Sequence, residues 1–326
     1  MYTDQHHLSI TFVYTIISIV LSSSVFTAIT QTTAFTNVFA QTSNNTQTNE
    51  YQLVAQWGSL GAEPGQLDGQ NNAAGTAEFV YVADYNNERI QKFTSDGQFV
   101  KMWGGTYGEA DGEFKKPHGV AIDSEGNVYV SERSGLRIQK FDSEGNFITK
   151  WGSEGTADGQ FLHLHDIAVG PGGGNSSNVN QDANSAQSLS FSGNASQSAN
   201  NEFVYVTDNE IFNVQKFTTD GDFITSWGSE GEGDGQFASL ESLDVDSNGN
   251  VYVADYGNDR IQKFTSDGVF VSSWGFEGSE QGQFEGPAGL AVDNNDNVYV
   301  TDVNNHRVQK FTSDGVFLVS WGSEGT

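Results

Sequence analysis

A block of about 47 residues recurs along this 326-residue chain, and a repeat of that length constrains the fold more than any other feature. Residues 112–153 read GEFKKPHGVAIDSEGNVYVSERSGLRIQKFDSEGNFITKWGS, and residues 282–323 read GQFEGPAGLAVDNNDNVYVTDVNNHRVQKFTSDGVFLVSWGS. The two match position by position, and 235–276 matches both. Trp57, Trp103, Trp151, Trp227, Trp274 and Trp321 mark the phase, with steps of 46, 48, 76, 47 and 47. The long step holds an insertion at 171–201.

Each unit reads as four short strands, GLAVD, NVYVTD, RVQKF and VFLVSW in the last copy, separated by turns rich in Asn, Asp and Gly. Alternation in VYV and RVQKF gives each strand set a face to bury. Four strands per repeat of this length predict an all-β propeller whose first strands line a central channel and whose fourth strands lie outermost. The segments GxFxxPxGVAVDxxGNVYVxDxxNxRIQKF resemble the NHL repeat over residues 51–326 apart from the insert, and that resemblance implies a β-propeller, usually of six blades. Five full strand sets are present, plus an N-terminal outer strand at 51–57 (YQLVAQW). The expectation is therefore five blades and a sixth if the complete protein extends beyond SEGT; the alternative is a closed five-bladed ring with 51–57 as an edge strand. The first blade is degenerate, its channel strand falling near NAAGT at 72–76. The Ser/Asn/Gly-rich insert reads as a flexible hairpin loop.

Residues 1–40 read as a signal peptide or an N-terminal membrane anchor: 8–29 are apolar and Val38-Phe39-Ala40 offers a small-x-small cleavage site, although 1–7 carry no Lys or Arg. Residues 41–50 read as a disordered spacer. The expected location is thus secreted or at the cell surface. Sequons at Asn44, Asn175 and Asn194 agree with export but arise readily in Asn/Ser-rich sequence. With 42 acids against 14 bases, a formal net charge of −28 repels phosphate and excludes nucleic acid as a partner. The absence of cysteine excludes disulfides and thiolate metal sites.

Residues that recur in every copy read as scaffold. Asp84, Glu132, Asp208, Asp255 and Asp302 end the second strands, and Arg89, Arg137, Arg260 and Arg307 begin the third, one hairpin turn away; Asn213 breaks the series. Each acid is placed to meet its arginine. The Trp and Phe series read as packing, and turns such as Asp293–Asn297 resemble calcium loops but fit ordinary turn chemistry better. His306, in NNHR, belongs to the repeat.

Function is sought where equivalent positions differ. Four residues after the first aromatic or leucine of each unit stand Asn71, His118, His165, Glu241 and Ala288, all at the start of the channel strand. Propeller geometry gathers such positions around one mouth of the channel. His118, His165 and Glu241 are candidate metal ligands, with His163 as a lesser one; two imidazoles and a carboxylate suit zinc, or iron where positions stay open. Zinc or calcium is the cofactor to consider. Pro117-His118 and His165-Asp166-Ile167 also resemble the metal-histidine contexts of peptidyl-α-hydroxyglycine α-amidating lyase, a zinc-dependent NHL-type propeller. Glu132-Arg133 matches the acid–arginine pair of that family, which implies that Arg133 is a catalytic residue able to stabilise an oxyanion. The chain departs from the lyase in lacking a third histidine, in carrying Leu164 before His165, and in having no in-register tyrosine. The leading expectation is an exported binding or scaffold module whose partner is a protein or small-molecule ligand at a propeller face. A metal-dependent lyase or hydrolase at the channel mouth is the alternative, and a purely structural role through an open edge comes third.

Overall fold

The computed structural model describes residues 51–173 and 201–324, together with the backbone strands Ser18–Ser22, Val25–Thr32 and Phe35–Gln41. Five four-stranded antiparallel blades form a propeller ring: blade 1 (70–104), blade 2 (117–151), blade 3 (164–227), blade 4 (240–274) and blade 5 (287–321). One 3-10 turn, Tyr256–Asn258, is the sole helical element among the described residues, and no helix there is long and apolar enough to cross a membrane. The outer strand read at 51–57 is present as Tyr51–Trp57. It pairs with Phe35–Gln41, which pairs with Val25–Thr32 and then Ser18–Ser22, in a further four-stranded sheet. These strands overlap the segment expected to act as a leader. The middle of the insert, with Asn175 and Asn194, and the spacer residues 42–50 lie outside the described residues.

The motif RIQKF explains how the ring holds together, because each polar letter has a partner in a neighbouring segment. In blade 4, Arg260 donates through Nε to Asp255 (2.9 Å) and through Nη2 to the carbonyls of Gly233 (2.8 Å) and Gln236 (2.9 Å) in the connector that leads into the blade. Gln262 donates to Asp255 and to the Gln236 carbonyl. Lys263 points the other way, to the Ser313 carbonyl in the turn of blade 5 at 2.9 Å. Lys92 and Lys140 reach Ser143 and Thr219 of their following blades in the same manner. The tryptophans complete this contact: a Cβ built on Gly145, Gly221, Gly268 or Gly315 would fall 2.5–2.7 Å from the ring of Trp103, Trp151, Trp227 or Trp274 of the preceding blade. Those glycines also have φ of 75–95°, so the position demands glycine twice over, for its backbone and for the indole stacked beneath it.

Asp123, Asp246 and Asp293, in the turns after the channel strands, are consumed by local structure. Each carboxylate accepts the backbone N–H groups two and four residues on and the hydroxyl of Tyr129, Tyr252 or Tyr299 at 2.9–3.0 Å. The resemblance of these turns to calcium loops is therefore accounted for by turn chemistry. In blade 3 the insert displaces this turn, and the Tyr205 hydroxyl is buried without a partner.

Candidate functional site

The channel strands carry a β-bulge at the same place in every blade. In blade 3 the ladder runs from Leu164↔Asp208 to Ile167↔Val206, so His165 and Asp166 together face the single residue Thr207. Asn71-Asn72, His118-Gly119, Glu241-Ser242 and Ala288-Gly289 are skipped identically. A bulge frees two residues from pairing and re-aims their side chains, which turns the in-phase positions of five blades into a ring of side chains at one mouth. The released N–H groups find hydroxyls on the second strand: Gly119 donates to Ser131 Oγ (2.8 Å), Asp166 to Thr207 Oγ1 (3.0 Å) and Gly289 to Thr301 Oγ1 (2.6 Å).

A cavity of about 290 Å³ opens at this mouth, lined by the bulge residues and by Arg133, Asn209, Ser239 and Tyr256. His118, His165, Glu241 and Arg133 all border it, as their sequence positions imply. The rings of His118 and His165 lie 4.2 Å apart between centroids. His165 Nδ1 is 2.6 Å from the Glu241 carbonyl oxygen, and its Nε2 is 3.3 Å from Glu241 Oε2. Donation to the carbonyl fixes the proton on Nδ1 and leaves Nε2 as an acceptor facing the carboxyl. The spacing is that of an ion pair, but burial works against charge on both partners. It pushes Glu241 up to about 7 and His165 down to about 3, so the proton rests on the carboxyl and the pair is a neutral hydrogen bond over the acid range. His118 is held well below the usual imidazole range, first by burial and then by His165 and Arg133; its Nδ1 is buried without a partner. His163 does not border the cavity. Its ring lies 6.1 Å from that of His165, and its backbone N–H is taken by Asp208 at 3.1 Å.

The sequence reading missed the floor of this cavity. Asp166 occupies the second bulge position, where blades 2 and 5 have Gly119 and Gly289. Its Oδ1 accepts from Asn72 Nδ2 of blade 1 (2.7 Å), and its Oδ2 from Ser242 Oγ of blade 4 (2.6 Å) and the Leu243 N–H (3.2 Å). Three blades thereby close a partition across the channel. Gly119 makes the span past blade 2 possible: a Cβ there would fall 2.8 Å from Ser131 Oγ, 2.9 Å from Ile167 Cγ2 and 3.0 Å from Asp166 Oδ1. Below the partition a second cavity of about 160 Å³ is bordered by Asp166 and Asp244. Asp244 stands where the other blades have Ala74, Ala121, Ala168 and Ala291. Burial raises Asp166 to about 6 and Asp244 to about 7. The signal for both residues was present as a break in the repeat, one and three positions after the ring that was read.

Among the described residues no group of three or more His, Cys, Asp and Glu is arranged to hold an ion. His165 and Glu241 are turned on each other, and the Nδ1 of His118 is sealed from solvent.

Comparison with known proteins agrees with the architecture. The NHL repeat family matches residues 114–141, 237–264 and 284–311. No curated protein matches the chain by sequence. Among solved structures, virginiamycin B lyase from Staphylococcus aureus superposes with a TM-score of 0.56 at 11% identity, covering 95% of this chain and 85% of that one. A Bacteroides thetaiotaomicron protein of unknown function gives 0.59 at 15% identity, covering 93% and 70%. U3-55K gives 0.52 at 12%, covering 78% and 64%. At these identities the likeness is one of fold.

Proposed function

Because this chain is a β-propeller in which three segments match the NHL repeat, we propose that it works outside the cytoplasm as a binding module whose small-molecule ligand sits in the cavity at the channel mouth. One observation carries the reading: the cavity is lined by the bulge positions, where the blades differ, while the positions they share are spent on holding the ring together. A screen of small molecules by thermal shift on the purified protein tests it. A ligand present at about 100 times its Kd adds roughly 2.7 kcal/mol, and hits are expected to lose that shift in His165→Ala. Hits that bind His165→Ala as tightly as the parent would place the site elsewhere.

Export rests on the apolar segment 8–29 and the Val38-Phe39-Ala40 site. Mature protein is expected to begin at Gln41, which mass spectrometry of the extracellular fraction reads directly. Cleavage there removes the strands between Ser18 and Ala40 and leaves Tyr51–Trp57 as an outer strand. Intact Met1 in a membrane fraction would instead support the uncleaved anchor.

A second reading, a lyase or hydrolase at the same mouth, is favoured by the His165–Glu241 contact, which sets a proton donor and an acceptor beside Arg133. Virginiamycin B lyase, and a catalytically inactive variant of it bound to quinupristin, are fold neighbours that agree with this reading. Its metal-dependent form requires stoichiometric zinc or calcium in protein purified without added metal, lost in His118→Ala and His165→Ala. Metal content near zero would remove that form.

A further inference from the structure

Of the chain's fourteen lysines and arginines, Arg133 is the one that closes no ion pair among the described residues; each of the others lies within 4.0 Å of a carboxylate oxygen. Its guanidinium donates no hydrogen bond there either. In a protein with 42 acids, an arginine without a counter-charge is conspicuous. Arg133 is also outside the repeat: Tyr85, Asn209, Tyr256 and Val303 fill its place in the other blades.

The guanidinium borders the mouth cavity. Glu241 is the acid on which its field acts there, and the Glu241 carboxyl lies at His165 instead. Asp166, on the floor, is committed to Asn72 and Ser242. A partly buried cation with no partner gives up hydration without compensation, and an incoming anion restores it through a two-point contact suited to the planar fork.

We propose that the cavity binds a small organic monocarboxylate, its carboxylate held on Arg133 and its body lying toward Tyr256 and Ala288 across the mouth. This rests on the cavity being the ligand site. One guanidinium balances one negative charge. A phosphate dianion would need further donors, and the acids of the surrounding surface repel multiply charged species. The lining opposite Arg133 supplies an aromatic ring and a methyl group rather than a second cation.

Isothermal titration of the full protein with a panel of aliphatic and aromatic monocarboxylates, their neutral amides and inorganic phosphate tests the assignment. At least one carboxylate is expected to bind saturably and at least tenfold more tightly than its amide. That preference is expected to disappear in Arg133→Gln and to persist, weakened, in Arg133→Lys. With no bonds to lose, Arg133→Gln is expected to melt at or above the parent temperature, which separates loss of binding from loss of fold. Equal binding of carboxylate and amide to the parent and Arg133→Gln would overturn the carboxylate assignment while leaving the cavity as the site. Phosphate binding in preference to every carboxylate would overturn it as well. No binding of any probe would overturn both.

Discussion

Asp255→Ala is expected to destabilise the protein by about 3–5 kcal/mol in urea titrations, the range for stripping one partner from a buried charge pair. Asp255 is fully buried and accepts from the Ala238 N–H, Asn258 Nδ2, Arg260 Nε and Gln262 Nε2. Removing it strands a guanidinium that also clamps the incoming connector through Gly233 and Gln236. Blade 3 provides the internal control. Asp208 is equally buried, but Asn213 replaces the arginine, and the carboxylate is satisfied by the N–H groups of Leu162, His163, Glu210 and Ile211. Asp208→Ala leaves no charge behind, so its cost is expected to be smaller, about 1–3 kcal/mol. Equal losses at the two positions would show that the arginine clamp contributes nothing beyond the turn itself.

The second large effect concerns protons. Burial raises Asp166 to about 6, Glu241 to about 7 and Asp244 to about 7, from ordinary values of 3.8, 4.5 and 3.8. An acid raised on folding binds more protons in the native state, so stability falls as pH rises from the unfolded value to the folded one. His118, His163 and His165 are shifted the opposite way, below 6.5, first by burial. An imidazole lowered on folding binds fewer protons in the native state, so stability rises with pH from the folded value up to 6.5. Near pH 5 folding moves protons from imidazoles to carboxyls, so in the parent the two slopes oppose each other. Single substitutions unmask the halves. Asp244→Asn is expected to gain stability with rising pH relative to the parent, by about 1.4 kcal/mol per unit, and His118→Gln to lose it. Urea midpoints at pH 4.5, 5.5 and 6.5 measure both slopes. Slopes that stay parallel to the parent would mean these groups titrate as they do in the unfolded chain.

The propeller was legible in the sequence because its blades are held by contacts that recur. Gln, Lys, Trp and the turn glycine appear in each copy and Arg in four of the five, and they reach into the next or preceding segment at matching places. The ring of Asn71, His118, His165, Glu241 and Ala288 was legible by counting from the phenylalanine, or in blade 1 the leucine, that opens each unit, although the bulge that aims these residues leaves no local mark. The partition was not. Asn72 and Asp166 are 94 residues apart and meet across an intervening blade, through space left by a glycine that reads as part of the repeat. Nor did composition reveal the proton shifts, since a chain with a net charge of −28 gives no hint that four of its acids, Glu132, Asp166, Glu241 and Asp244, are held toward the neutral form. Arg133 was noticed for a family resemblance. Its isolation emerged only when every other basic side chain had found its carboxylate.

The recurring bulge separates two histories within one chain. The first of the two residues it skips takes no part in the strand ladder, so exchanging it leaves the Arg, Gln, Lys and Trp contacts between blades intact. The seams are nearly interchangeable from one blade to the next, so in-frame recombination between copies can add or delete a blade and still regenerate matching neighbours. Such a gene can change the number of its units and the chemistry of its pore by independent routes, and drift at the pore is cheap. A new specificity can be sampled one codon per blade, on the outer ring of the bulge.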